Sequence, residues 1–216
     1  MTTASVTPVP ITSAPTTSAL SASAVKPASG RANQRKRTYD AIVRAAAELI
    51  LTGGEVSMPQ IAAAALVSEA TAYRYFPDLA TLLREAMSDQ LPDPAQALAS
   101  VADSADPVER VTAATEYLLR LVLARQGAVR AMIAATISKP GSTANRPALR
   151  FGLIDHALSP VTGIDHVTLT RLKLGLAVIV SAEALFSLTD LHGLDPEQAI
   201  ASLVRTAQTF TRALVG

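Results

Sequence analysis

The sequence predicts an all-α protein, and three observations support this expectation. Alanine and leucine, which both favour helices, dominate the composition. Aromatic residues make up only 4% of the chain, and long alternating runs of Val, Ile and Thr are missing, which disfavours strands. Apolar residues make up 49% of the 216 residues, which is enough to form a sizeable core in one large domain or two modest ones.

The composition also excludes several classes of site. Cysteine is absent, so disulfides, thiolate metal sites and cysteine nucleophiles are impossible. This absence fits the reducing cytoplasm, the location that we expect. The most apolar run, residues 174–188, contains Glu183 and is shorter than the roughly 20 residues of a membrane span. We therefore interpret it as a buried helix and expect no membrane contact and no signal peptide.

Residues 1–37 form the first predicted segment, a disordered tail that ends in a basic arm. Residues 1–30 are mostly Thr, Ser, Ala and Pro, and Lys26 carries their only charge. Such a segment cannot bury enough apolar surface to offset its ordering entropy. The net charge of +1 indicates no partner, but local basic residues can either pair with phosphates or stay solvated. They are Arg31, Arg35, Lys36, Arg37 and Arg44.

Residues 38–90 are predicted to form a helical domain. Apolar residues at helical spacing predict a first helix over 38–51, and Gly53 and Gly54 end it. A second helix starts near Ser57, and Pro59 is tolerated in its first turn. Ser68 caps a short third helix, and a fourth helix covers 77–88.

Residues 56–76 have the pattern of a helix-turn-helix, with two short helices around a three-residue turn. Ala62 and Ala65 suit the close helix crossing. The shared core would consist of Ile61, Val67, Ala72 and Phe76. The second helix would project a polar face that fits the major groove of DNA. That face comprises Ser68, Glu69, Thr71, Arg74 and Tyr75.

Residues 91–216 are predicted to form a second helical domain, beginning at the Pro-rich break 91–94. Helices are expected over 95–102, 107–125, 128–137, 147–158, 165–191 and 196–215, with a loop over 139–145.

Residues 39–87 resemble the N-terminal domain of the TetR family of bacterial regulators. The matching positions are Ile42, Ala45, Ala46, Ile61, Ala62, Val67, Ser68, Thr71, Tyr73, Arg74, Tyr75, Phe76, Leu82 and Leu83. The resemblance implies a homodimer that binds a double-stranded DNA operator and joins through its last two long helices. It also implies a repressor that a small effector releases from the operator. In the DNA complex, the hydroxyls of Thr71 and Tyr73 would contact phosphates.

Three positions depart from the family pattern. Leu66 stands where the family usually has glycine in the turn, and a left-handed bulky residue costs about 1 kcal/mol or more. Leu79 replaces a lysine that contacts phosphate, and Ala80 replaces a common acid. The basic arm could supply compensating phosphate contacts.

We predict the following DNA-binding residues: Arg35, Lys36, Arg37, Ser57, Gln60, Ser68, Glu69, Thr71, Tyr73, Arg74 and Tyr75. Three of them have structural alternatives. Tyr73 could be a core ring with a solvated hydroxyl, and Arg74 could pair with Asp78 one turn later. Glu69 could serve only to place a negative charge at the N-terminus of its helix, where the helix dipole stabilises it, instead of accepting a hydrogen bond from cytosine.

The last two helices carry the predicted dimer interface. The segment 165–191 is apolar nearly all round from Leu174 onward and must be covered on every side. Paired with its twin, and with the apolar stripe of the last helix, it would form a four-helix interface. The stripe comprises Ile200, Leu203, Val204, Ala207, Phe210 and Leu214, and small residues at Gly175, Ala177, Ser181 and Ala182 would allow close approach.

Glu183 indicates a second site, because a carboxylate buried among Ile179, Ala184 and Phe186 must find a partner. We expect that partner to be Arg150 or His156, in a structural ion pair or in a group that orients a ligand. The predicted pocket would take a small apolar or amphipathic effector. Its walls would be Thr115, Leu118, Val122, Met132, Thr136, Phe151, Glu183 and Phe186.

Two rival interpretations remain open. An enzyme is disfavoured, because the sequence lacks catalytic and phosphate-loop motifs and its three histidines are scattered. We accordingly expect no cofactor and no metal. The alternative function is a helical dimeric interaction protein that kept the fold but lost specific operator binding, as the changes at Leu66, Leu79 and Ala80 could produce.

Overall fold

The computed structural model describes residues 29–88, 90–138 and 148–215. Within these ranges the chain forms eleven α-helices and no strand, which confirms the all-α class. The helices are α1 (Ser29–Leu51), α2 (Met58–Ala64), α3 (Glu69–Tyr75), α4 (Leu79–Ser88), α5 (Pro94–Ala97), α6 (Pro107–Ala124), α7 (Gln126–Ser138), α8 (Leu149–Ala157), α9 (His166–Ile179), α10 (Ala182–Phe186) and α11 (Pro196–Val215).

Helix α1 starts earlier than predicted. It begins at Ser29, so the expected disorder is wrong for residues 29–37, while residues 1–28 and the predicted loop 139–145 lie outside the described residues. The reason is that residues 31–37 are rich in Arg, Lys and Gln, which are good helix formers. The downstream part of α1 supplies the helical nucleus, so each added residue gains a hydrogen bond without a new nucleation cost.

Helices α1 to α4 pack around the predicted helix-turn-helix core. Ile61, Ala72 and Phe76 are buried there, together with Ile42 and Leu82. Gly53 ends α1 in the left-handed conformation at φ 70°, as expected. The next turn brings the chain into α2, which begins just after Ser57.

The turn between α2 and α3 closes in a Schellman arrangement on a non-glycine residue. The Leu66 amide donates to Ala63 O at 3.1 Å, and the Val67 amide donates to Ala62 O at 3.0 Å. Leu66 has φ 55°, the only positive φ outside glycine among the described residues. Its side chain is 93% exposed, so no packing compensates for the left-handed conformation, and the turn carries strain.

Arg110 holds together the first elements of the second domain. It is 3% exposed on α6 and donates to backbone carbonyl oxygens from two helix ends. The bonds run to Val101, Ala102 and Ser104 at 2.8–3.5 Å, and to His156 and Ala157 at 2.8 and 3.0 Å. Carbonyl groups at helix C-termini carry partial negative charge, so they stabilise the buried guanidinium without an acid.

The predicted helix over 165–191 is broken. Helix α9 ends at Ile179, and Ser181 is extended at φ −143° and ψ 153°. The Ser181 hydroxyl accepts from the Ala184 amide at 3.1 Å and starts α10, which continues into a π-helical turn over Ser187–Leu191. Among the described residues, no single helix has the length and apolarity of a membrane span. Only one pair of consecutive helical segments in the described residues, His166–Ile179 and Ala182–Leu191, has this length and apolarity when taken together, and the two segments are bent by 43° relative to each other.

Helix α11 packs mainly on α6 and α9 within the chain. Its predicted apolar stripe is largely buried there, at Ile200, Leu203, Val204 and Ala207. Gly175 allows the crossing with α9, because a Cβ at this position would lie 2.3 Å from the Phe210 ring. This part of the predicted dimer interface therefore lies in the core of the protomer.

Helix α7 joins the two halves of the chain. Its Ala128 and Met132 belong to the same core cluster as the helix-turn-helix. At its start, a Cβ on Gly127 would stand 1.6 Å from Gly54 O. The backbone of α7 therefore lies directly against the turn that follows α1, and only glycine permits this contact.

Replacing Leu66 should reveal the strain in the turn. Glycine removes a left-handed cost of about 1–2 kcal/mol but adds about 0.4–1 kcal/mol of unfolded-state entropy. We therefore expect Leu66→Gly to raise the free energy of unfolding by about 0.5–1 kcal/mol in urea titrations. Leu66→Ala is the control, because it removes the exposed side chain and keeps the strain. Equal stabilities of the two variants would contradict this account.

Replacing Arg110 should destabilise the protein. We expect Arg110→Met to lower the free energy of unfolding by about 3 kcal/mol or more, because buried carbonyl groups lose their donors. Urea denaturation followed by circular dichroism measures the change. Arg120→Met on the same helix removes an exposed pair with Glu197 and should leave the midpoint near that of the wild type. Similar midpoints for the two variants would show that the hydrogen bonds of Arg110 do not stabilise the second domain.

Candidate DNA-binding interface and ligand cavity

Helix α3 is anchored at its start by Ser68. The Ser68 Oγ accepts from the Thr71 amide at 3.2 Å and lies 2.8 Å from the Thr71 hydroxyl. This confirms Ser68 as the N-cap of the helix. The two hydroxyls hydrogen-bond to each other, which fixes the first turn of the helix. The helix dipole stabilises the negative charge of Glu69 in the same turn.

The outer face of α3 is available to a partner. Tyr73 is 46% exposed, so its ring is not a core ring. Glu69 and Arg74 are also exposed, while Tyr75 is half-buried. The Arg74 guanidinium lies 5.7 Å from the centre of the Tyr75 ring. In the described part of the chain it forms no pair with Asp78, whose carboxylate caps α4 by accepting from the Thr81 amide at 2.8 Å.

A basic groove lies between α3 and the start of α1. Because α1 is helical from Ser29, Arg31, Arg35 and Thr38 follow one another along one face. They meet Arg74 and Ser68 across a concavity of about 440 Å³. The full lining is Arg31, Gln34, Arg35, Thr38, Val67, Ser68, Thr71, Arg74 and Tyr75. We call this concavity the basic groove, and its three guanidinium groups give it a positive charge without a lining acid.

The remaining predicted DNA-binding residues lie around the basic groove. Lys36 and Arg37 are exposed on other faces of α1. Ser57 precedes α2, and its hydroxyl donates to Gln60 Oε1 at 2.8 Å instead of capping the helix. Sequence reasoning missed Gln34 and Thr38, and it treated Arg31 only as part of a charge cluster. The helical spacing of 31, 35 and 38 was the available signal.

Tyr39 ties α1 to α4 behind this interface. Its hydroxyl donates to Glu85 Oε1 at 2.7 Å, and its ring lies 5.0 Å from the Phe76 ring. Burial, followed by the bond to Glu85, raises the pKa of Tyr39 to about 12. The phenol is therefore neutral at any physiological pH and serves as a fixed donor.

A second concavity, of about 340 Å³, lies where α4, α6, α7, α8 and α10 meet. We call it the ligand cavity. Its lining is mostly apolar and includes Met87, Leu91, Leu118, Leu121, Val122, Arg125, Val129, Met132, Thr136, Ala148, Leu149, Arg150, Phe151, Ala182 and Glu183.

Six of the eight residues predicted as pocket walls lie at this cavity. The other two, Thr115 and Phe186, do not line it. Thr115 is buried in α6, where its hydroxyl donates to Val111 O at 2.7 Å. Phe186 packs under Arg130, whose guanidinium lies 3.8 Å from the ring centre. The sequence pattern placed both in the apolar core, but only packing decides which core side chains border a void.

Arg130 also pairs with Asp190 and joins α7 to the π-helical turn. The Arg130 Nη2 donates to Asp190 Oδ1 at 2.9 Å. The bonds from Arg130, and then from Thr189, lower the pKa of Asp190 to about 2. This pair fixes α7 beside the cavity at neutral pH.

Glu183 is placed differently from the prediction. It is not buried, because its side chain is 43% exposed at the cavity rim. One of its expected partners is confirmed, since Arg150 Nη1 lies 3.7 Å from Glu183 Oε2. The other expected partner, His156, contributes its backbone carbonyl to Arg110. The break at Ser181 turns α10 and exposes the carboxylate, which the prediction of one continuous helix could not show.

Nine of the fifteen lining residues were not among the predicted walls, and three of these nine matter most for the cavity. Met87 and Leu91 bring the end of α4 into its wall, and Arg125 contributes a cation at the corner between α6 and α7. Among the described residues, no three His, Asp or Glu side chains gather to hold a metal ion. The apolar lining and the charged side chains of the cavity can bind a small molecule.

Comparisons with known proteins agree with this arrangement. The family of bacterial regulatory proteins, tetR family, matches residues 42–86. A solved TetR transcriptional regulator from Rhodococcus sp. RHA1 is 23% identical, with a TM-score of 0.50, over 82% of this chain and 97% of that one. This likeness shows a shared fold. No curated protein matches the chain. The family match covers the helix-turn-helix from α1 to α4 but not Arg31 or Arg35 of the basic groove, so residues 42–86 are similar to the DNA-binding domain of the tetR family of bacterial regulatory proteins.

Proposed function

We propose that this protein is a DNA-binding transcriptional regulator, a dimeric repressor that leaves its operator when a small, largely apolar effector fills the ligand cavity. One observation carries the proposal. Met87 and Met132 line the cavity and are also buried in the core of the helix-turn-helix domain. A ligand in the cavity therefore contacts the side chains that position α4 and, through it, α1 and α3.

The DNA side of the proposal rests on the basic groove. Arg31, Arg35 and Arg74 provide three cations beside the exposed face of α3. This arrangement supports α3 in the major groove, with the start of α1 following the adjacent phosphates. Leu79 supplies no charge where the family usually has a lysine, and the extension of α1 compensates for it. The direct contacts with bases would come from Glu69 and Arg74.

The signal would pass through two contacts between the halves of the chain. The core packing of α7 on α4 is the first. The second is the contact of Gly127 with Gly54, which links the corner of α6 and α7 to the end of α1. A ligand can shift the DNA-bound state only by its differential affinity for the two arrangements. An effector that separates α4 from α7 would change the spacing of the two recognition helices in a dimer.

The dimer would form on the outer face of α9. Val167, Leu174 and Val178 follow one another on this face and are 65–71% exposed. Three large apolar side chains in one exposed stripe are typical of an interface. Pairing α9 with its twin would cover them and place two α3 helices on successive major grooves, about 34 Å apart. A regulator of chromosomal promoters would act in the cytoplasm.

One prediction from the proposed function concerns DNA binding. The double variant Arg31→Ala, Arg35→Ala should bind DNA from upstream of its own gene more weakly. Its plot of log affinity against log salt should be shallower by about 2, because two phosphate contacts are lost. Fluorescence anisotropy at several salt concentrations measures both effects. Arg120→Ala, Arg205→Ala removes the same charge from exposed positions on α6 and α11 and should match the wild type.

Two results would contradict this proposal. An unchanged salt slope in the Arg31, Arg35 variant would show that the basic groove does not contact phosphates. Equal affinity of the wild type for specific and competitor DNA would favour an interaction protein that kept the fold without operator binding.

Another prediction from the proposed function concerns assembly. Sedimentation equilibrium should give a dimer for the wild type and a monomer for Leu174→Glu, Val178→Glu, because four carboxylates would meet in one interface. Leu51→Glu is the control, since Leu51 is 61% exposed at the end of α1 and should remain dimeric. If the Leu174→Glu, Val178→Glu variant remained a dimer with a native circular dichroism spectrum, the dimer interface would not lie on α9.

A further inference from the structure

Among the described residues that line the ligand cavity, one cation has no opposite charge beside it. Three charged side chains line the cavity: Arg125, Arg150 and Glu183. Glu183 lies 3.7 Å from Arg150, so these two charges oppose each other at the rim. Arg125 is the remaining charge among the described lining residues.

Arg125 is half-buried, and one nitrogen of its guanidinium group is enclosed by the protein. Its Nε is buried and has no hydrogen-bond partner, and across the described ranges its guanidinium forms no ion pair. Its surroundings in the cavity are apolar, with Leu121, Val122 and Met132 among the lining. A buried polar group without a partner is costly, and such groups in native proteins often mark a site whose partner is not part of the chain.

The backbone fixes Arg125 at a rigid point. It terminates α6, where its amide donates to Val122 O at 3.2 Å, and its carbonyl accepts from the Val129 amide in α7 at 3.1 Å. A guanidinium presented from such a corner can receive a planar anion in two parallel hydrogen bonds.

We propose that the ligand cavity binds an amphipathic organic acid, with the anionic group on Arg125 and the apolar body along α6 and α7. This inference rests on the proposed function and makes its effector more specific, because it adds a single negative charge to a largely apolar molecule. The anion supplies the missing hydrogen-bond acceptor, and the aliphatic lining takes the apolar chain.

The coupling follows from the position of Arg125. Gly127, two residues later, is the residue whose backbone touches Gly54. An acid bound to Arg125 would therefore act on the corner that contacts the end of α1, while its apolar body contacts Met87 and Met132. One ligand would reach both connections between the cavity and the DNA-binding domain.

Matched ten-carbon probes test the charge requirement on the full-length protein without DNA. Isothermal titration calorimetry should give a decanoate affinity about tenfold or more above that of decanol, because only decanoate offers a charged acceptor. Decyltrimethylammonium should bind more weakly than decanol, since its charge is repelled. Acetate should bind weakly, because it carries the anionic group without the apolar chain.

Variants identify the residue responsible. Arg125→Gln should reduce the decanoate affinity to that of decanol and leave decanol binding unchanged, which also shows that the cavity has kept its shape. Arg125→Lys should restore part of the preference. Arg120→Gln, on the same helix and remote from the cavity, should behave as the wild type.

Three results would overturn the inference. They are equal affinities of the wild type for decanoate and decanol, an unchanged preference in Arg125→Gln, and a preference that Arg150→Gln abolishes while Arg125→Gln does not. The proposed function fails separately. If decanoate binds through Arg125 and the DNA complex does not respond, only the ligand response is contradicted. If decanol releases DNA as well as decanoate does, only the charge requirement is contradicted.

Discussion

The contact between the backbones of Gly127 and Gly54 is the constraint on which the arrangement of the two halves depends. A Cβ at Gly127 would overlap Gly54 O, so α7 reaches the end of α1 only because this position has no side chain. That close approach lets Ala128 and Met132 enter the core of the helix-turn-helix domain. Without it, α7 would stand off from α4, and the ligand cavity would lose the wall that the DNA-binding domain provides.

The two ends of α6 carry two arginines, Arg110 and Arg125, that differ in their hydrogen bonding. Arg110 is buried and fully engaged, because it collects carbonyl groups from two helix ends that carry partial negative charge. Arg125 is partly buried at the far end of the same helix, and its Nε has no partner. The first residue fixes α8 on α6. The second gives the cavity between them a positive charge, so a structural tie and a binding group sit on one rigid element.

The local features of the DNA-binding half were predictable because they depend on neighbouring residues. Ser68 caps α3 and Gly53 ends α1 as expected, and Leu66 has the left-handed φ that the turn requires. The start of α1 was not predicted, because a polar segment such as residues 29–37 forms a helix only as the extension of a helix that is already nucleated. That difference moved Arg31 and Arg35 from a mobile tail onto a fixed face beside α3.

The sequence by itself determined the all-α class, most helix positions and the helix-turn-helix, and it narrowed the partner of Glu183 to Arg150 or His156. The first three follow from periodicity and capping, which act over short distances. Only the tertiary structure decided that the stripe of α11 is buried within the protomer and that Glu183 lies at a rim. It also decided that Met87 and Arg125 share a cavity. Residues distant in the chain meet according to helix crossing and packing, and a pattern along one helix does not specify which neighbour covers it.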